Sequence, residues 1–383
     1  MIARILIFFL LLIAIPDAYL YKVLFHRRWN RWAKVAWWLV SAALLAYTLW
    51  LAHKPGFIPP NPWPVYIYLL ILGTFIVPKA LFALIVFIAA PTRRPGRKAL
   101  AVATAFSIAV AAMVAYGATF GFYKIEVNRV SFSSPQLPPA FDGYKVALFS
   151  DLHLGSYDTE SGRKVVEAAV DSIMAMGADL ILFAGDLQNV RAEEITPFRA
   201  TLSRLSAPDG VMAVMGNHDY AVYIDTLSVG KKQAEDATRK QIRRLGWDLL
   251  NNEHRYIARD SDTLVVAGME DLGHTRSPKT GNVEKTLKGV AADRFVLMLQ
   301  HEPYAWRKAI LPQSSAQLTL SGHTHGGQVK VGPFSPYALI GECEGFYYEG
   351  DRALFVTRGL GGLVPFRFGA TGEVVLLTLH CTK

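Results

Sequence analysis

The sequence predicts an N-terminal α-helical membrane region with four spans, residues 1–122, followed by one α/β domain. Four long apolar stretches fill the first third, and beyond residue 123 short apolar runs alternate with amphipathic segments. The formal charge divides at the same place. Residues 1–123 hold twelve Lys/Arg and one acidic residue, whereas the remaining 260 residues hold 28 basic and 30 acidic ones. The net charge of +9 therefore belongs to the apolar region and gives no support for a nucleic-acid partner.

Each apolar stretch reaches the ~20 residues that an α-helix needs to cross a bilayer. The stretches run at 2–20, 32–52, 64–91 and 98–122. Tryptophan and tyrosine cluster near their ends, as is typical of membrane interfaces, at Trp37, Trp38, Trp50, Trp63, Tyr66 and Tyr68. A cleaved signal peptide is disfavoured, because the N-terminal basic region consists of Arg4 alone and no small-residue cleavage site follows the apolar stretch.

The loops predict the orientation of an integral, multi-pass protein of the inner or plasma membrane. Loops 21–34 and 92–98 hold nine of the twelve basic residues, whereas loop 53–63 has only His53 and Lys54. The positive-inside rule places the two basic loops in the cytoplasm, and everything after residue 122 on the extracytoplasmic side. Lys79 interrupts the third stretch; it either pairs with Asp17 or snorkels, or it marks a function.

Residues 123–143 read as a linker and edge strand, and 144–383 as the α/β domain. Strands are predicted at 124–132, 145–149, 179–184, 211–215, 263–267, 295–299, 316–320, 353–357 and 373–379. Helices are predicted at 160–177, 193–206, 232–245 and 302–310. Short apolar strands without alternation are buried on both faces, which indicates sheets covered by helices.

Polar residues collect just past the carboxyl ends of these strands, the edge at which α/β sheets build sites. They are Asp151, His153, Asp186, Asn217, His218, Asp219, His301, His323 and His325. Carboxylate, amide and imidazole groups without thiolates suit divalent metals. On an extended segment Asp151 and His153 would point the same way, as would His323 and His325. Even without His218 and Asp219, seven side chains remain. Seven ligands exceed what one ion needs, so two ions sharing a bridging carboxylate are expected.

The ordered set D-x-H, GD, GNHD, a single His and GHTH resembles the calcineurin-like metallophosphoesterase superfamily. HEP at 301–303, SGHTHGGQ at 321–328 and the Gly-rich RGLGGLVPFR resemble its bacterial membrane-associated branch. The resemblance covers about 144–380, with Gln188 as a minor departure. It implies a four-layer α-β-β-α fold. One implied ion is held by Asp151, His153, Asp186 and His325. The other is held by Asp186, Asn217, His301 and His323, with Asp186 bridging.

The resemblance implies hydrolysis of phosphate ester or anhydride bonds with two divalent ions, Mn, Fe or Zn. We assign His218 as the acid that protonates the leaving oxygen. Asp219 either lies behind His218 and fixes its tautomer, or is a turn residue. Arg358 and Arg367, on the Gly-rich loop, either contact a second phosphate or anionic head group or lie on the solvated surface.

The expected partners are a phosphorylated small-molecule or lipid substrate and membrane lipid. One alternative is a pyrophosphatase acting on a lipid-linked nucleotide sugar such as UDP-2,3-diacylglucosamine, but the predicted orientation argues against a cytoplasmic substrate. A non-enzyme alternative is a metal-binding membrane sensor or scaffold, although no ligand or acid is missing. Cys343 and Cys381 allow one disulfide bond or none, and the oligomeric state stays open.

Overall fold

The computed structural model describes residues 5–54, 61–91, 95–224, 230–274, 277–339 and 341–382. The chain divides into two compact units, Met1–Thr119 and Phe120–Lys383. Arg4 and two residues of the predicted second basic loop, Arg93 and Arg94, lie outside the described residues.

Within the described residues, the N-terminal unit contains four helices long and apolar enough to span a membrane, which confirms the predicted number. They are Leu6–Phe25, Arg31–Ala52, Trp63–Ala89 and Arg97–Gly121. Three of them include a π-helical turn, at Tyr21–Phe25, Leu72–Ile76 and Gly117–Gly121. Such turns are compatible with a membrane because the backbone groups still bond within the helix. The first span ends at Phe25 rather than at residue 20, because its helix continues through the π-turn.

A buried polar cluster joins three of the spans, and we call it the intramembrane cluster: Asp17, Ser41 and Lys79. Lys79 Nζ lies 2.6 Å from Asp17 Oδ1. Ser41 Oγ donates to Asp17 Oδ2 at 2.5 Å. The Asp17 carboxylate is buried and both of its oxygens are engaged. Of the interpretations of Lys79, the structure therefore supports pairing with Asp17.

The C-terminal unit contains two six-stranded mixed sheets, with strand orders β1-β12-β2-β3-β4-β5 and β10-β11-β9-β8-β7-β6. The strands are β1 Ile125–Ser134, β2 Lys145–Phe149, β3 Leu180–Phe183, β4 Val211–Ala213, β5 Asp248–Leu249, β6 Glu253–Arg259, β7 Asp262–Gly268, β8 Val296–Leu299, β9 Leu318–Ser321, β10 Gly345–Glu349, β11 Arg352–Val356 and β12 Gly372–Cys381. Neighbours β2, β3 and β4 run parallel in the first sheet, as do β7, β8 and β9 in the second. Their carboxyl ends therefore share an edge within each sheet.

Two helices of the C-terminal unit match the predicted ones closely, Glu160–Ala175 and Lys231–Arg244. The first begins where the Thr159 side chain accepts a hydrogen bond from Gly162 N–H. The other two predicted helices are irregular. Residues 193–206 form a 3₁₀ helix, Ala192–Phe198, and a single turn, Arg199–Leu202, because Pro197 removes a backbone donor. Residues 302–310 include a π-turn, Trp306–Ile310, which leads into Leu311–Gln313; a further single turn is Val283–Thr286.

Three hydrophobic cores arrange this unit as four layers. The core between the sheets contains side chains from both, among them Leu148 and Leu182 of the first and Leu297 and Leu320 of the second. A second core packs helices on the outer face of the first sheet, and includes Phe149, Phe183, Val166, Val170 and Ile242. A third, with Met298, Trp306 and Ile310, covers the outer face of the second sheet. The fold is the α-β-β-α arrangement that the resemblance implied.

Candidate metal centre

The structure brings all seven predicted metal ligands together at the strand ends. Asp151 and His153 follow β2, Asp186 follows β3, and Asn217 lies four residues beyond β4. His301 follows β8 of the second sheet. His323 and His325 follow β9. Among the described residues, three groups of side chains could each hold an ion: Asp151, His153 and His325; His153, Asp186 and His218; and Asp186, His301 and His323.

Most of the ligands are aimed by left-handed backbone rather than by an extended segment. Positive φ angles between 46° and 73° occur at Asp151, His153, Asp186, His323 and His325. The expectation that each i, i+2 pair lies on extended chain is therefore wrong, because the chain turns sharply at the ligands themselves. Two glycines permit the close approach: a Cβ on Gly216 would lie 2.2 Å from Asp186 Oδ1, and one on Gly322 would lie 2.4 Å from Asp151 Oδ2.

The Asp186 carboxylate lies between the two halves of the centre. Its Oδ2 is 3.5 Å from His153 Nε2 and 3.2 Å from His301 Nε2. On the side of His153, His325 Nε2 is 3.8 Å from Asp151 Oδ1. The nearest ligand atoms of Asp151, His153 and His325 all lie within 4.8 Å of one another. Asp186 is thus the carboxylate placed to serve both halves.

In the other half, acceptor atoms face one another. His301 Nδ1 lies 2.7 Å from the Ala184 carbonyl oxygen, so the neutral imidazole carries its proton there and presents a lone pair at Nε2. That Nε2 is 3.2 Å from Asn217 Oδ1 and 3.3 Å from His323 Nδ1. His323 Nδ1 is in turn 3.0 Å from the same Asn217 oxygen. Convergent lone pairs of this kind are stabilised by a cation, so the residues fit a divalent metal.

The protonation states of three of the four histidines agree with this interpretation, whereas that of His301 does not. Burial lowers the pKa of His153, His323 and His325, which keeps their imidazoles neutral and able to bind metal. Burial also opposes a charge on His301, but the facing Asp186 carboxylate outweighs it and raises the pKa of His301 well above its usual value. A proton and a metal ion therefore compete for the lone pair of His301.

Comparison with known proteins agrees with this geometry. Residues 144–327 match the family described as "Calcineurin-like phosphoesterase", and residues 3–124 match the one described as "Probable Calcineurin-like phosphoesterase, transmembrane domain". The "Uncharacterized metallophosphoesterase YkuE" of Bacillus subtilis is 31% identical over 280 residues, which cover 68% of this chain and 87% of that protein. The chain belongs to the calcineurin-like metallophosphoesterases.

Other relatives extend the likeness across bacteria and eukaryotes. An "Uncharacterized metallophosphoesterase" of Aquifex aeolicus is 28% identical, covering 67% of this chain and 92% of that protein. The "Transmembrane protein with metallophosphoesterase domain" of Danio rerio is 26% identical over 71% of this chain, which spans 61% of the relative's length. Membership makes the chain a phosphoesterase hydrolase with a divalent metal site, and the match of residues 3–124 to the transmembrane-domain family, together with the four apolar helices, makes it a membrane protein.

The predicted acid of this phosphoesterase, His218, is held at the centre by its backbone and its ring. Its backbone N–H donates to Asp186 Oδ1 at 2.8 Å. Its Nδ1 donates to the Asn189 carbonyl oxygen at 2.6 Å, so a proton on Nε2 is the one free to be transferred. The Tyr223 ring lies against the imidazole, with 4.5 Å between centroids.

The role expected for Asp219 as the tautomer partner of His218 is wrong. Its carboxylate instead accepts from the backbone N–H groups of Asp186 at 2.8 Å, Leu187 at 3.0 Å, Gln188 at 3.3 Å and Gly216 at 3.0 Å. The partner of His218 Nδ1 is a carbonyl oxygen. Asp219 is therefore a turn residue, the second of the two interpretations given above. It fixes the loop that carries Asp186.

Both predicted substrate arginines make contacts within the protein. Arg367 is buried and donates to the carbonyl oxygens of Gly361 at 2.6 Å, Arg358 at 2.8 Å and Ala370 at 2.9 Å. Arg358 pairs with Glu373 at 2.5 Å and Glu126 at 2.6 Å. The prediction for Arg367 is wrong, because its buried guanidinium holds the Gly-rich loop together from within. The role of Arg358, which is partly exposed, stays a prediction.

Sequence reasoning missed the loop that follows Asp186. The Asn189 carboxamide lies 3.1 Å from His153 Nδ1, while the carbonyl oxygen of the same residue binds His218. In the orientation that satisfies its neighbours, the carboxamide nitrogen faces His153 and donates to Nδ1 at 3.1 Å and to the His153 carbonyl oxygen at 3.2 Å, while the carboxamide oxygen accepts from Ser156 Oγ at 3.0 Å. Glu194 fixes this loop by accepting from the backbone N–H of Asn189 at 2.6 Å and of Val190 and Arg191, each at 3.1 Å. The available signal was a polar residue three positions after Asp186.

Proposed function

We propose that this membrane phosphoesterase works with two divalent ions and hydrolyses phosphate ester or anhydride bonds. The observation that carries the proposal is the placement of Asp186 between two groups of lone-pair donors. One ion would be held by Asp151, His153, Asp186 and His325. The other would be held by Asp186, Asn217, His301 and His323.

The protein's own residues supply the proton for the leaving group. When bound, a pair of divalent ions would polarise the phosphoryl group and lower the pKa of the attacking water. The bond from phosphorus to the leaving oxygen breaks as that oxygen takes a proton from His218 Nε2. The Asn189 carbonyl keeps the other proton of the ring on Nδ1, which favours transfer from Nε2. His218 then recovers a proton from solvent.

Metal analysis and a substrate screen test this proposal on the full chain in detergent. After loading with Mn, Fe or Zn, we expect two ions per chain and hydrolysis within a panel of phosphate mono-, di- and pyrophosphate esters that includes lipid head groups. One ion per chain at saturation would contradict the dinuclear centre. Two ions without turnover of any ester class would favour the sensor or scaffold.

We also propose that the catalytic unit is extracytoplasmic, on the strength of the basic loops at 21–34 and 92–98. A C-terminal alkaline phosphatase fusion should then be active, and a fluorescent-protein fusion exported unfolded should be dark. Protease added to intact spheroplasts should remove the catalytic unit. A protected unit would reverse the orientation and would make the pyrophosphatase acting on a lipid-linked nucleotide sugar the preferred function.

A further inference from the structure

An uncharged, exposed apolar loop follows the last two metal ligands. We call residues 331–339 (VGPFSPYAL) the apolar loop. Val331 is 61% exposed, Phe334 53% and Leu339 75%. From residue 124 onward, in the part of the chain that the structure describes, the other large apolar side chains that lack a hydroxyl group and are exposed are Val127 at 41% and Met174 at 37%. Outside the fourth span, which includes Phe120, the most exposed of these apolar groups in the catalytic unit are therefore concentrated in nine residues.

The apolar loop is fastened to the segment that carries His323 and His325. Ser335 Oγ donates to the Gly326 carbonyl oxygen at 3.1 Å. Backbone hydrogen bonds close the turn between Val331 and Phe334, at 2.9 and 3.2 Å. Tyr337 packs closely on Gly327: a Cβ added to Gly327 would lie 2.7 Å from the Cβ of Tyr337. The exposed side chains are thus presented by an ordered turn beside the metal centre.

We propose that the apolar loop inserts into the surface of a lipid bilayer and that the substrates are phosphate esters carrying acyl or other long hydrocarbon chains. The second part rests on the proposed phosphoesterase function. The four spans confine the protein to a bilayer, so the loop meets lipid at high local concentration. Apolar area in water is unfavourable by roughly 25 cal/mol per Å², and a loop without charge enters the interface at no cost in ion desolvation.

Lipid photo-crosslinking tests the docking without any need for turnover. The full chain is reconstituted in phosphatidylcholine–phosphatidylglycerol nanodiscs that contain a phosphatidylcholine with a diazirine on its acyl chain. After irradiation, mass spectrometry should find lipid adducts on residues 331–339. The matched control is the peptide of Tyr256, which is 51% exposed on β6 and should remain unlabelled. An unlabelled loop, or a loop covered by a second copy of the chain, would overturn the proposal.

A pair of chromogenic diesters tests the substrate class. Methyl and hexadecyl 4-nitrophenyl phosphate share the scissile group and differ only in the hydrocarbon chain. In the V331Q/F334Q/L339Q variant, the ratio of kcat/KM for the hexadecyl over the methyl ester should fall about tenfold. Tyr256→Gln should leave the ratio unchanged. An equal loss on both esters would mean that the loop only supports the metal centre, and would overturn the substrate class.

The two experiments fail separately. If the metal-loaded wild-type protein hydrolyses neither diester, that result counts against the proposed function, whereas the crosslinking result still decides the docking. If lipid adducts form on the loop but the ratio is the same in wild type and variant, the loop touches lipid without selecting substrate, and the inferred substrate class is wrong.

Discussion

Two buried polar clusters of this molecule differ in how their charge is balanced. The intramembrane cluster contains its own counter-ion, since Lys79 and Ser41 engage both oxygens of Asp17. The metal centre contains a surplus of acceptors, and lone pairs of Asn217, His301 and His323 face one another at 3.0–3.3 Å. A cluster that neutralises itself holds helices together, whereas one whose acceptors converge is built for a ligand. Substitutions in each cluster should therefore have opposite signatures.

The largest effect is expected at the bridge of the metal centre. Asp186→Asn replaces a charged two-oxygen ligand with a neutral one. Substituting a residue that only contacts a metal ligand typically weakens metal binding about 10–100-fold, and the affinity for both ions should fall by more than that. Elemental analysis at equal free metal measures it. Asp158→Asn, at an exposed pair with Arg163, is the control. Full occupancy by two ions in Asp186→Asn would remove the bridging assignment.

The next effect separates chemistry from metal binding within the same centre. His218→Ala should keep both ions yet lose about 10²–10⁴-fold in turnover of alkyl esters, because the leaving alkoxide needs a proton. Nitrophenyl esters, whose leaving group departs without one, should suffer much less. The control is His254→Ala, whose Nδ1 bonds the Thr286 carbonyl oxygen. Equal losses on both ester types would contradict the acid role.

The intramembrane cluster should respond in stability and not in metal content. Lys79→Met leaves the Asp17 carboxylate buried without its counter-ion, which typically costs about 3–5 kcal/mol. Thermal unfolding of the full chain in detergent should begin at lower temperature, while the metal stoichiometry stays the same. Adding Asp17→Leu should recover much of the loss, and Lys22→Met, at an exposed position, should change little. A change in metal content would break the distinction between the clusters.

The smallest effect sharpens the comparison inside the metal centre. Asn189→Ala removes the group facing His153 Nδ1, so the ion held by Asp151, His153 and His325 should bind about 10–100-fold more weakly. The ion at His301 and His323 should keep its affinity, because Asn189 does not contact those ligands. Asn189→Asp, which keeps the size of the side chain and offers a carboxylate acceptor to a proton on His153 Nδ1, should be milder. Competitive metal titration that showed equal weakening of both ions would contradict a role specific to His153.

Much of the fold was readable because hydrophobic runs mark strands that are buried on both faces, as at β2 and β8. Three strands were missed: β5 is two residues long, β6 is polar and half-exposed, and β10 is a short, partly exposed aromatic segment without aliphatic residues. That the seven candidate ligands lie together could be predicted, because parallel strands align their carboxyl ends. The partners of Asp219 and Arg367 could not be predicted, because those side chains bind backbone groups whose positions depend on the folded turns.

The left-handed backbone lowers the stability of the metal-free fold. It occurs at Asp151, His153, Asp186, His323 and His325. Such a conformation costs a residue other than glycine of the order of 1–3 kcal/mol, so five of them oppose a total stability that is only about 5–15 kcal/mol in ordinary domains. Bound ions offset this strain because they bind the folded state alone. Glycine at these positions would relax the metal-free fold while abolishing the site. Metal starvation in the cell would therefore remove the protein itself, through unfolding and proteolysis, as well as its activity.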